Sequence, residues 1–149
     1  LLASVVKAPF TDFNSAASLT EWTTSGSQQW TLQSGGTPSN PTGPTAGRSG
    51  GSDSYYFLET TPGQTGDTGL LSYRGSGETC NVTVTFFYHM YGVEMGSLRV
   101  LRSDGSRAWN RTGEAGDSWL RATVAVGSST FSFEGTRGSG CKLTAAFEA

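Results

Sequence analysis

Charge, lysine, histidine, cysteine and long apolar runs are all scarce in this chain. Charged residues make up 15% of its 149 positions, Lys occurs twice, and the net charge is −2. So balanced a surface offers no basic patch to the phosphates of nucleic acid or to an anionic membrane. No apolar run approaches the roughly 20 residues of a membrane-spanning helix. One histidine, His89, and two cysteines, Cys80 and Cys141, cannot complete a tetrahedral zinc site. The same scarcity confines any Ser-His-Asp hydrolase to His89. That residue lies mid-strand between Tyr88 and Met90, where an outer-face or interface histidine is expected, not a general base. Gly47-Arg48-Ser49-Gly50-Gly51 has the spacing of a nucleophile elbow, but it sits in a Pro/Gly/Ser loop and lacks the required strand-to-helix turn. Carboxylates are scattered singly, without a pair for glycoside hydrolysis, and no phosphate-binding Gly-rich loop with its Lys is present. The chain is not expected to be an enzyme.

What the chain has in quantity is Gly (21), Ser (20) and Thr (20), which suit short strands and tight turns. The organising stretch runs from Cys80 to Gly92. Val82, Val84, Phe86, Tyr88 and Met90 fall on one face, with Asn81, Thr83, Thr85, Phe87, His89 and Tyr91 on the other. That period-2 alternation predicts a long half-buried strand. Gly92 and Gly96 then bracket a turn into Leu98 and Val100, which reads as a central hairpin. Further strands are expected at 29–32, 55–60 and 69–73. Asp104-Gly105 marks a hairpin turn between 98–102 and 107–110. Gly113 to Asp117 reads as a loop, and alternating rows follow at Leu120 to Val126, Phe131 and Phe133, and Leu143 to Phe147. Eight to ten short strands and no convincing helix predict an all-β fold, a two-sheet antiparallel β-sandwich of jelly-roll type.

Residues 10–149 are expected to form a single domain around one core. Residues 1–9 are an apolar lead ending at Pro9, which either frays or extends as a strand seeking a sheet edge, with Leu2, Val5 and Val6 as its anchors. Residues 34–54, rich in Gly, Ser, Thr and Pro, bury too little apolar surface to fold alone and are expected as a long surface loop laid over the domain. Thr37, Thr42 and Thr45 adjoin prolines and are candidates for O-glycosylation. The sequons Asn81-Val82-Thr83 and Asn110-Arg111-Thr112 are candidates for N-glycosylation. With the even cysteine count and the Leu at position 1, they point to a processed, secreted chain. Cys80 and Cys141 are either two buried thiols or a disulfide between neighbouring strands, contributing about 4 kcal/mol by loop entropy. Phe87, His89 and Tyr91 form an aromatic stripe that is either covered by another part of the fold, such as the long loop, or exposed as a contact surface.

The order of these pieces resembles the MAM domain (meprin, A5 antigen, receptor phosphatase mu), an extracellular jelly-roll module. The resemblance starts at Phe10-Thr11-Asp12-Phe13-Asn14 and passes through Leu19, Trp22, Trp30, Thr42-Gly43-Pro44-Thr45 and Tyr55 to Thr60. Its most specific part is Phe86-Phe87-Tyr88-His89-Met90-Tyr91-Gly92 followed by Met95-Gly96-Ser97-Leu98-Arg99-Val100. It implies a non-catalytic glycoprotein, secreted or at the cell surface, that works by protein–protein adhesion. The family's N-terminal cysteine pair is missing here, and Cys141 precedes the last strand instead of following it. Of the acidic positions through which some members bind a cation, Asp12 and Glu59 remain. Ala46 and Gly47 stand after the Gly-Pro motif, and the last strand reads Thr144-Ala145-Ala146. No structural Ca²⁺ and no other cofactor is therefore expected. A lone adhesive module needs multivalency, which favours a homo-oligomer or a fibre built by residues 1–9 adding to a neighbour's sheet. A reading from another class is a carbohydrate-binding module that stacks sugars on Trp22, Trp30, Trp109, Trp119 or Tyr55-Tyr56.

Overall fold

A computed structural model of the protein describes residues 13–38, 42–59, 63–75, 77, 81–93, 95–139 and 144–148. One helical turn, α1 (Ala16–Leu19), precedes ten strands. These are β1 (Trp22–Gly26), β2 (Trp30–Ser34), β3 (Ser54–Glu59), β4 (Thr68–Arg74), β5 (Thr83–Met90), β6 (Ser97–Arg102), β7 (Arg107–Thr112), β8 (Gly116–Ala125), β9 (Thr130–Thr136) and β10 (Thr144–Glu148). They form two antiparallel sheets, a front sheet in the order β2-β3-β10-β5-β8 and a back sheet in the order β1-β4-β9-β6-β7.

The alternation read from the sequence positions the core. Val82, Val84, Phe86, Tyr88 and Met90 are buried and meet Leu98, Val100, Phe131 and Phe133 from the facing sheet. Phe86 lies edge-on to Phe133 with ring centroids 4.9 Å apart, so the two inner faces interlock at mid-sandwich. Trp22, Tyr73, Phe131 and Phe133 extend the aromatic packing towards β1.

The expected central hairpin is not one. β5 is flanked by β8 and β10 in the front sheet, whereas β6 is flanked by β7 and β9 in the back sheet. The chain therefore crosses the sandwich between Met90 and Ser97. Glycine permits the crossing: Gly92 has φ 141°, and a Cβ at Gly96 would collide with the carbonyl of Thr136. The Asp104-Gly105 turn, by contrast, joins β6 and β7 within one sheet as expected. There Arg102 N donates to Ser106 O at 2.8 Å, and Ser106 N donates to the Asp104 carboxylate at 2.8 Å. Two further boundaries differ from expectation. Trp22–Gly26 is a strand, although the sequence suggested only core anchors there, and β8 begins inside the stretch read as a loop.

Candidate functional site

The front sheet has a second, smaller core on its outer face. β3 turns Tyr56 and Leu58 inward, so Tyr55 and Phe57 point outward, yet they are 0% and 4% exposed. Trp119 of β8 packs against them, with its ring 5.6 Å from Tyr55. The long polar loop closes over this group. Trp119 Nε1 donates to Ala46 O at 3.1 Å, the Tyr55 hydroxyl donates to Gly35 O at 2.7 Å, and the Arg48 guanidinium lies 4.3 Å over the Phe87 ring. Gly43 N donates to Tyr91 O at 3.1 Å, and Thr37 is bound to Pro44 and Thr42. Asp53 ties the far end, accepting from Ser49 N and from Asn14 Nδ2, while Ser54 N donates back to Asn14 Oδ1. A segment too polar to bury itself is thus held by rings from the sheet and by its own backbone groups.

His89 sits at the floor of this arrangement, 2% exposed, with its ring 5.6 Å from Trp119. Its Nε2 is 3.1 Å from the Asp117 carboxylate, and its Nδ1 is buried without a hydrogen-bond partner. Burial holds its pKa below the usual 6.5, against the opposing pull of Asp117. A neutral ring donating to one carboxylate serves here as a clasp between β5 and β8.

Of the stripe Phe87, His89 and Tyr91, His89 is covered, whereas Phe87 and Tyr91 are half-buried. His89 is buried, Phe87 lies beneath Arg48, and Tyr91 is bound through its carbonyl to the loop. An outward position on a strand is not an exposed one when a loop lies across the sheet. Thr42 is also buried and is removed from the O-glycan candidates; Thr37 is half-buried and Thr45 exposed. Asn81 is exposed at the foot of β5 with φ 58°, and Asn110 is exposed on β7 with its amide 3.3 Å from the Thr112 hydroxyl. Leu2, Val5, Val6, Asp12, Cys80 and Cys141 lie outside the described residues, and Glu59 is half-buried at the end of β3. Among the described residues no group of three or more His, Cys, Asp or Glu could hold a metal ion. Nor is any helix among them long and apolar enough to cross a membrane. Trp22, Trp30 and Tyr55 are buried, Tyr56 is half-buried against the core, Trp109 is packed on Phe86 and Tyr88, and Trp119 is under the loop. The buried rings of Trp22, Trp30 and Tyr55 are closed to a sugar, while Trp109 and Trp119 are half-buried.

Arg48, Asp117 and Trp119 are the partners that the sequence reading did not connect to the stripe. For Trp119 a signal existed: Leu120, Ala122 and Val124 mark the inward row of β8, so parity places Trp119 outward beside the stripe. The outer face of the back sheet is built differently. It is a bare polar surface with a Ser72–Ser132 hydroxyl bond of 2.8 Å and an Arg99–Glu134 ion pair of 2.8 Å. A shallow groove of about 720 Å³ runs along Ser72, Arg74, Leu101, Arg102 and Ser132.

Two five-stranded antiparallel sheets, joined by a crossing and covered on one side by a loop, define a jelly-roll β-sandwich module. The cleaved adhesin domain K1 of Lys-gingipain from Porphyromonas gingivalis has the same architecture, with a TM-score of 0.57 over 87% of this chain and 88% of that one. At 12% identity the likeness is one of fold. The MAM domain family, meprin/A5/mu, matches residues 11–148, and the chain belongs to it. Among relatives, the MAM domain-containing glycosylphosphatidylinositol anchor protein 1 of Rattus norvegicus is 39% identical over 128 residues, covering 74% of this chain and 13% of that protein. Neuropilin-1a of Danio rerio is 33% identical over 106 residues, covering 66% of this chain and 12% of that protein. The chain thus spans a small part of the length of the curated relatives it matches.

Proposed function

We propose that this chain is a non-catalytic, extracellular adhesion module that works by protein–protein contact and assembles with copies of itself. The observation that carries the reading is the family match over residues 11–148, which covers nearly all of the described sandwich and starts after the apolar lead. Relatives named for a membrane lipid anchor, and zonadhesin of Homo sapiens, support a secreted or cell-surface setting. Exposure of Asn81 and Asn110 supports N-glycans at both, and Thr45 and Thr37 remain candidates for O-glycans. A Cys80–Cys141 disulfide fits the same compartment. Strand donation by residues 1–9, with Leu2, Val5 and Val6 as apolar anchors, is the route to self-assembly. Sedimentation velocity of the full chain and of a chain lacking residues 1–8 tests it. Concentration-dependent growth that disappears on deletion supports the reading, and oligomers unchanged by the deletion eliminate strand exchange.

A further inference from the structure

Among the described residues four strands end the two sheets, β1 and β7 at the back, β2 and β8 at the front. They are not equally protected. On the β1–β2 flank Trp22 and Trp30 are buried, and Trp30 Nε1 donates to Gly69 O at 2.9 Å, so the gap between the sheets is plugged. On the opposite flank β7 is blunted by Arg107 and Arg111 and by the Asn110 sequon. Charge and a bulky modification both discourage strand pairing. β8 is the longest edge, ten residues, and only Asp117 and Arg121 are charged on it. Its inward residues Leu120 and Ala122 are half-buried, as are Ala108 and Trp109 across the gap on β7. That flank is an apolar seam beside an edge that no other described strand pairs.

We infer that this seam is the acceptor of assembly: residues 1–8 of a second copy add to β8 as an antiparallel strand. Of the three anchors Val5 then turns into the seam against Trp109, Leu120 and Ala122, on the same face as Leu1 and Ala3, while Leu2 and Val6 lie on the other face of the added strand. The inference rests on the strand-donation reading above and names its docking edge. Length agrees: eight extended residues span about 27 Å, within the ten residues of β8. Pro9, which cannot donate to a ladder, falls where the added strand stops. Donor and acceptor are different surfaces of one chain, so the contact is head-to-tail and propagates into an open polymer unless it closes as a ring.

Two full-length variants test this by sedimentation velocity, with circular dichroism as the check on folding. Val5→Asp removes the donor, and Ala122→Lys places an inward charge on the acceptor edge. Each alone is expected to weaken association by about tenfold or more. Mixed together they are expected to form one-to-one dimers that grow no further, because one functional donor and one functional acceptor remain. If Ala122→Lys associates like the wild type while Val5→Asp does not, the acceptor is elsewhere and self-assembly stands. If the wild type stays monomeric at every concentration, self-assembly itself fails, and the seam with it. Hydrogen exchange on the wild type decides the matter if Ala122→Lys does not fold. β8 amides should gain protection as the chain associates. Protection that is unchanged between dilute and concentrated chain overturns docking by a second copy, including the case in which the segment docks on its own β8.

Discussion

Among the described residues the two sheets have equal numbers of strands and opposite outer faces. At the front, Tyr55, Phe57, Phe87, His89 and Trp119 gather under a loop made of little but Gly, Ser, Thr and Pro. At the back, Ser72 pairs with Ser132 and Arg99 with Glu134, half-buried side chains that satisfy one another across neighbouring strands. The difference teaches where a polar loop gets its order. It supplies backbone donors and acceptors, and the sheet supplies the rings, so neither is stable in that form without the other. A face that pairs its own polar groups needs no cover.

The comparison breaks most sharply at Trp119. Trp119→Ala removes its ring contacts with Tyr55 and His89 and its hydrogen bond to Ala46, and is expected to cost about 3 kcal/mol in urea unfolding. Trypsin should then cleave after Arg48 in the otherwise folded chain. A lid that stays protected would mean that its remaining ties, at Gly35, Gly43, Arg48 and Asp53, hold it without Trp119.

Acid separates the faces next, since the one histidine lies at the front. The folded pKa of His89 is depressed by burial, so the unfolded chain binds its proton more readily. Stability is therefore whole above about pH 6.5 and falls as the pH drops from there towards the folded pKa, by up to about 1.4 kcal/mol for each unit of depression. His89→Gln should flatten the profile of unfolding free energy below about pH 7. An unchanged slope would place the titration elsewhere.

Arg48→Ala, which removes the cation from the Phe87 face, is expected to lose about 0.5–1 kcal/mol and to speed hydrogen exchange across residues 46–50. The smallest effect belongs to the back face. The Arg99–Glu134 pair is partly exposed, and a double-mutant cycle should give a coupling of about 0.5 kcal/mol that fades in high salt. A coupling larger than the Arg48 effect would reverse the ranking of the two faces.

The inner rows, the β6–β7 turn and the jelly-roll class were legible because period-2 burial and Asp-Gly turns are local signals. The β5–β6 crossing was not. Alternation says which residues face the core but not which sheet a strand joins, and a glycine-bracketed gap serves a hairpin or a crossing equally well. β1 escaped notice because Thr23, Thr24 and Ser25 show no apolar alternation after Trp22. The lid was visible as a loop, but not its anchoring, since His89 and Asp117 are 28 positions apart and Trp119 and Ala46 are 73 apart. Burial of His89 depends on those distant partners, so its outward parity misled.

The position of β10, between β3 and β5, has a consequence for biosynthesis. As the module emerges from the ribosome, β3 and β5 are made well before the strand that separates them. Until β10 arrives, they flank a slot about 9.6 Å wide, two strand spacings, with two raw edges facing each other. Direct pairing of β3 with β5 would close that slot in the wrong order and exclude the last strand. Chaperones that delay such pairing until residue 148 has been synthesised would therefore raise the yield of native module more than those acting on the back sheet, whose five described strands are complete at Thr136.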